Sequence, residues 1–479
     1  MKYQIFTLLI AMIPFANILL VRAKSDNVKL CRTLNLVFPK IFCFAIIILL
    51  LLKNDKNISI EFFSFFSLSF AFSITKLSLI FLAFLGFFWL VFAIYIQKLL
   101  ATSNIEKDFY EYFLLIIATL CLLFLSKNLV TLLVFYQTLV IIYHFFSSKF
   151  LYKKDGNNLI SFTLLFLLQT IFLFLAIILT LKTTGKSDFD GLPLALNDLS
   201  GSKFLLLATL YFASTFLLIL APCYLFYQKI KLNSIFIFTI FFLLYAVSNC
   251  YILFKILLDV FGVFTFSFKS LRNYFIFFEG FMLFNITISS LFLLFSNNFK
   301  SSFFYFFFQQ LSFALFSTLL FLIYKIEKIF LPFLSFALSF TILVFCISNI
   351  ALYLENISQK KSDTFFSNTK ATIILLFFTL LAIAKILPSV SLAEGFLIIK
   401  VIISEGLTLS AIICFISFSS VVIFAVKMIY LFLDYKNRQK IINANLGSLI
   451  NVDSGLAFII SPLLVFLMLI LSPILLIYF

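Results

Sequence analysis

ATIILLFFTLLAIAKILPSVSLAEGFLIIKVIISEGL, residues Ala371 to Leu407, is too long and too apolar for a soluble fold. A straight helix crosses a bilayer in roughly 20 residues. This run is therefore strongly tilted or interrupted. Pro388 and Gly395 offer the place to interrupt it. Lys385, Glu394, Lys400 and Glu405 lie in or beside that place. Irregular backbone at membrane depth survives only under protein or beside a water-filled cavity. Charges at that depth mark ion or proton paths by default. A broken helix with lysines and glutamates is thus the functional clue of the sequence.

Outward from this stretch, the whole chain has the same character. It is 64% hydrophobic, 20% aromatic and only 11% charged, which excludes an ordinary globular domain. Apolar runs recur from end to end, and the short alternating segments of a β-barrel are absent. The expected class is an all-α polytopic membrane protein with about fourteen spans. The runs fall near 3–21, 34–52, 78–97, 110–126, 128–146, 158–181, 203–227, 234–258, 273–296, 303–324, 329–354, 371–404, 407–426 and 455–478. The twelfth is the interrupted one, and Pro222 predicts a bend or break in the seventh. Glu61 to Thr75, rich in Ser and Phe, reads as an interfacial segment or an extra span. No linker is long enough to separate two domains, so residues 1–479 form one membrane domain.

The net charge of +16 is scattered through loops and forms no Lys/Arg stripe, which argues against nucleic acid. Loops after odd-numbered segments are the richer in Lys and Arg, beginning with Arg22, Lys24, Lys29 and Arg32. Positive loops stay in the cytoplasm, which places both termini outside and the loops at 152–157 and 435–445 inside. Cys31, Cys43, Cys121, Cys223, Cys250, Cys346 and Cys414 are all far apart in sequence, so no CxxC redox or zinc spacing exists. The first run lacks a small-residue cleavage site and is a retained helix.

Several stretches resemble, in order, the antiporter-like subunits of respiratory complex I and of Mrp-type cation/proton antiporters. Ser69–Leu99 resembles the family's third helix with its strand-like lead, with Thr75 where Asp is usual. Leu125–Phe146 resembles the fifth helix, and Leu220–Ile256 the passage from the seventh into the eighth. Asn297–Thr318 is similar to the entry to the tenth, and LPSVSLAEGFLIIK (Leu387–Lys400) to the family's "P-P-x-x-G-F-x-x-K" in the broken twelfth. The likeness covers roughly 69–433 and implies fourteen helices with both termini outside, partner membrane subunits, and proton movement. The departures are as informative. Gln137 follows Phe135 and Tyr136 where the family's fifth helix has a buried Glu. Leu217 or a neighbour stands for the seventh-helix Lys, Val247 lies near the eighth-helix Lys, and Phe340 or Thr341 near the eleventh-helix Lys or His. Only the twelfth-helix Lys has a counterpart, Lys400, one residue further from Gly395.

The candidate proton or ion path comprises Lys400, Lys385, Glu394, Glu405, His144 and Gln137. A break would return Lys400 toward the midplane, facing the interior; the alternative is snorkelling to the interface. Lys385 lies ~22 Å into its segment at 1.5 Å per residue, too deep to snorkel, and would pair with Glu394 or Glu405 across the break. His144 is seven residues after Gln137 and so shares its helix face; as the single histidine it suits a proton shuttle or an interface position. Glu279 stands alone in the ninth segment. No nucleotide loop, haem-type ligand pair, metal cluster or Ser/His/Asp set is visible, so neither catalysis nor a cofactor is expected of this chain. At most it is a non-catalytic subunit of an NADH-quinone oxidoreductase-like translocase. The expected function is proton movement, possibly against Na⁺ or K⁺, in a bacterial plasma membrane or a mitochondrial inner membrane. The alternatives are a non-conducting structural subunit of such an assembly and a solute or lipid-intermediate transporter of similar helix count.

Overall fold

The computed structural model describes residues 2–23, 28–52, 58–65, 68–99, 106–151, 156–197, 199, 201–216, 235–262, 269–296, 299–324, 328, 330–358, 365–386 and 389–433. Along the chain the elements are α1 (Lys2–Ala23), α2 (Val28–Leu52), β1 (Ile58–Phe65), β2 (Leu68–Ile74), α3 (Lys76–Leu99), α4 (Glu106–Phe124) and α5 (Leu129–Phe146). Next come α6 (Gly156–Thr184), the short α7 (Leu192–Asn197), α8 (Gly201–Phe216), α9 (Ile235–Lys255) and α10 (Lys269–Phe295). The last are α11 (Phe299–Ile323), α12 (Leu331–Ser358), α13 (Phe365–Ile383), α14 (Val390–Glu405) and α15 (Thr408–Leu433). Single π-helical turns follow α5 (Ser147–Leu151) and α9 (Ile256–Val260). Thirteen of the apolar runs thus form helices, and 8 helices among the described residues are long and apolar enough to cross a membrane. The expected fourteenth span, the break near Pro222, and the loops at 152–155 and 435–445 lie outside the described residues.

Glu61 to Thr75 is not an extra span; its described residues up to Ile74 belong to an antiparallel β-hairpin. Ile58 pairs with Ile74 and Phe65 with Leu68, with a register irregularity between Glu61 and Phe63. Alternating Ser and Phe or Ile suits a pleated strand, because successive side chains face opposite ways. The hairpin is tied to the turn between α4 and α5. Ser73 N donates to Leu125 O (2.7 Å), Lys127 N to Ala71 O (3.0 Å), and Ala71 N to Thr131 Oγ1 (3.1 Å). Asn128 caps α5 by accepting from Thr131 N at 2.8 Å, while its amide donates to Ser69 O. Thr75, in the place where the family has Asp, caps α3: Ser78 N donates to Thr75 Oγ1 (3.1 Å) and Thr75 N to Ser78 Oγ (2.7 Å).

Packing sorts the helices. Every residue of α9 from Ile240 to its end is buried, and so is nearly all of α11. These two are wrapped by protein. Helices α6 and α15 instead keep apolar stripes exposed, Leu164, Leu168 and Ile171 on one, Leu409, Ile412 and Phe415 on the other. Such stripes face lipid or a partner at no hydrophobic cost, since hydrocarbon is as apolar as a core. Phenylalanine rings fill the interior; Phe306, Phe307 and Phe336 all gather around Phe340 of α12. Such pairs stabilise by roughly 0.5–1.5 kcal/mol each beyond burial.

Candidate functional site at the broken helix

The long run does break, but earlier than expected. α13 ends at Ile383 and α14 begins at Val390, so Gly395 lies inside the second half-helix. Pro388 lies outside the described residues. The stop is made by hydrogen bonding: Ile386 N reaches back to Leu381 O (3.0 Å) and Lys385 N to Ala382 O (3.0 Å). This is a Schellman end, whose C′ residue must take the left-handed conformation that glycine favours. Lys385 occupies it, with φ 62°, and is the sole non-glycine with positive φ among the described residues. A left-handed residue with a Cβ costs roughly 1–2 kcal/mol. Strain of this kind gathers at functional sites.

The strained turn aims the Lys385 side chain back across α14. Its ammonium forms an ion pair with Glu394 Oε2, and the two side chains are 8% and 2% exposed. Gly395 makes room for the lysine stem: a Cβ there would lie 3.3 Å from Lys385 Cβ and Cγ. Glycine therefore serves as the floor of the pair and not as the breaker of the helix. Lys385 Nζ also sits 3.5 Å from Ser335 Oγ and 5.2 Å from the centre of the Phe313 ring. Ser389 caps α14 by accepting from Leu392 N at 3.4 Å, which fixes where that half-helix starts.

Around the pair lies a band of hydroxyls. Ser317 Oγ donates to Glu394 Oε1 (2.7 Å), to Phe313 O (2.7 Å) or to Ala314 O (3.2 Å), having one proton for the three acceptors. Ser335 Oγ donates to Ser391 Oγ (3.1 Å), and Ser339 Oγ lies 3.3 Å from the same oxygen. Ser335, Ser339 and Ser391, with Lys385, Glu394, Gln310 and Phe313, line a cavity of ≈ 10 Å³. That is room for about one water molecule. Hydroxyls and a water able to reorient are what carries a proton between fixed charges.

The other candidates are placed differently. Lys400 is exposed on α14, opposite the face that carries Glu394, Ile398 and Val401. The expectation that it faces the interior is therefore corrected. Six residues separate it from Glu394, about 240° around a helix with 3.6 residues per turn, so the two lie on different faces of α14. Glu405 is exposed at the end of α14, and the partner of Lys385 is Glu394. Gln137 is exposed on α5. His144, half-buried one side of the same helix, has Nδ1 3.0 Å from Thr163 Oγ1 of α6. Glu279, whose place the sequence left open, is buried on α10. It lies with Lys385 and Glu394 within electrostatic reach of Cys414 on α15.

The first half of the chain carries a polar cluster without a charge among its described members. Gln169 Nε2 of α6 donates to Asn249 Oδ1 of α9 (2.6 Å), Tyr136 Oη of α5 to the same oxygen (3.3 Å), and Tyr245 Oη to Gln169 Oε1. Val247, near which the resemblance places a Lys, and Phe340 and Thr341, near which it places a Lys or His, are all buried, and Phe340 lines the cavity beside the Lys385–Glu394 pair. Sequence reasoning missed Gln169 and Asn249; their signal was an amide inside an apolar run, a residue type that needs a partner there.

No family model matches the sequence, and no curated protein matches it. Solved structures do. A chain of the Mrp complex from Dietzia sp. DQ12-45-1b aligns with TM-score 0.76 at 13% identity, over 99% of this chain and 95% of that one. A chain of the membrane-bound sulfane sulfur reductase, an archaeal respiratory membrane complex, aligns with TM-score 0.73 at 14% identity, over 98% and 94%. A chain of respiratory complex I from Thermus thermophilus with bound NADH aligns with TM-score 0.64 at 15% identity, over 97% and 94%. This chain shares the fold of these chains of membrane complexes. It is a multi-pass helical membrane fold over the whole length compared.

Proposed function

We propose that this chain is a proton-moving subunit of a membrane assembly of the complex I or Mrp kind. The observation that carries the reading is the buried Lys385–Glu394 pair at the helix break. Isolating two charges from water costs several kcal/mol per ion, and their attraction returns this only when geometry and extra hydrogen bonds are good. Here the lysine is in addition held in a strained backbone conformation. A purely structural link would be made more cheaply by apolar packing. A pair that exchanges a proton needs both groups, and each charge state alters the proton affinity of its neighbour. In the proposed cycle a proton passes from the Lys385 ammonium to the Glu394 carboxylate. The neutral pair is then recharged through Ser317 or through the Ser335–Ser391–Ser339 band.

Lys400, Glu405, Gln137 and His144 join such a path through groups that a partner subunit brings to their exposed or half-exposed faces. The counter-ion, Na⁺ or K⁺, and a bacterial or mitochondrial membrane belong to the same proposal. A second reading, a structural subunit that does not conduct, draws on the neutral Gln169–Asn249 cluster in the first half. Proton flux in vesicles holding the assembled complex separates the two. Lys385→Arg keeps the charge but cannot release a proton. Flux should fall while assembly persists, and full flux in this variant would favour the structural reading.

A further inference from the structure

A second ion pair, with a buried lysine and a half-buried aspartate, lies away from the helix break. Lys255, the last residue of α9, forms a bond of 2.5 Å from Nζ to Asp259 Oδ2, and the two side chains are 2% and 29% exposed. The ammonium also stands 4.6 Å from the centre of the Phe189 ring. Asp259 sits in the π-helical turn Ile256–Val260, closed by Phe261 N donating to Ile256 O (2.9 Å). Turns of this type are frequent at functional sites. The pair lies on the membrane face that carries the hairpin: Tyr251 Oη, one helical turn before Lys255, donates to Phe124 O (2.7 Å) at the end of α4. One polar atom on this face is buried without a partner, Asp188 Oδ1. Asp188 precedes Phe189, the ring beneath the ammonium.

We propose that Lys255 and Asp259 form a proton-exchange port between the core around α9 and the water on the hairpin face. The arrangement is graded: a half-buried carboxylate, then an enclosed ammonium, then Tyr251 and Ser248 on the same face of α9 leading inward. In the exchange step the N–H bond of the Lys255 ammonium breaks and an O–H bond forms on Asp259 Oδ2, leaving a neutral amine and a neutral acid. The acid passes its proton to water, and the amine regains one from the interior. Charge is conserved at each step, and no redox partner is needed. This proposal rests on the proton-moving reading above, and it assigns the second pair a role distinct from that of Lys385 and Glu394.

The test uses vesicles holding the assembled complex, with proton flux and the amount of inserted protein measured together. Asp259→Asn should lower flux roughly a hundredfold, the low end for losing a positioned proton-transfer group. Asp259→Glu, which restores an acid, should recover most of it. Lys255→Arg retains the ion pair and should insert normally yet lose flux to the same degree. Asp259→Cys should react with a membrane-impermeant thiol reagent added on the hairpin side. Should Asp259→Asn and Lys255→Arg conduct as the wild type while Lys385→Arg does not, the port is overturned and the relay at the break stands. A wild type that moves no protons overturns both. Lack of labelling at position 259 in inserted protein overturns the port by itself.

Discussion

The Lys385–Glu394 pair can be dissected by a double-mutant cycle in which the backbone strain is also accounted for. Glu394→Gln removes the negative charge and leaves the Lys385 ammonium enclosed with Ser335 and the Phe313 ring. Removing one partner of a buried pair costs about 3–5 kcal/mol. Lys385→Gly leaves Glu394 buried with Ser317 as its remaining donor. Its cost is of the same order, reduced by roughly 1–2 kcal/mol because glycine relieves the left-handed turn at φ 62°. Combined, the two changes leave no buried charge and an unstrained helix stop. The double variant should therefore lie within about 1–2 kcal/mol of the wild type, although each single variant is clearly weaker. At the middle of these ranges the coupling is then about 5 kcal/mol, above the roughly 0.5–3 kcal/mol usual for contacting residues. Unfolding of the purified protein in mixed micelles with increasing SDS measures all four corners of the cycle. Additive single effects would refute the argument, because they would mean that the two charges do not stabilise one another in the folded chain.

Gly395→Ala should destabilise by about 1–3 kcal/mol, the cost of overpacking, since the crowded Lys385 stem is held by its backbone at one end and its ion pair at the other; a gain in SDS resistance would show that the stem can move. Asn249→Ala should cost about 1–3 kcal/mol by orphaning Gln169 and Tyr136, with proton flux per inserted molecule unchanged, so a matching loss of flux would place the first-half cluster on the path. Asn128→Ala, which loses both the α5 cap and the tie to Ser69, should cost about 1–2 kcal/mol in the same assay. Lys127→Met breaks only the partly exposed bridge to Glu61 and should cost under about 1 kcal/mol; the reverse order of these two effects would contradict the description of how the hairpin is anchored.

Much of the fold was legible because the transfer of apolar groups from water acts residue by residue. Runs long enough to span, and the interruption of Ala371 to Leu407, follow from length and composition alone. The hairpin was not legible as such. Glu61 to Thr75 is apolar enough to pass for a span, and its strand character rests on pairing with a partner strand and on ties to Lys127 and Thr131. The pairing of charges at the break was legible only as a set of alternatives. In water, hydrophobic periodicity tells the buried face of a helix from the exposed one. In a membrane it does not, because both faces are apolar: Ile398 and Val401 are buried on α14, while Phe396, Ile399 and Ile403 are exposed. The sequence by itself therefore determined that four charges lie near a broken helix. Only the tertiary structure decided which two meet, through the left-handed turn at Lys385, the space over Gly395, and the rotation of α14 that turns Glu394 inward and Lys400 out.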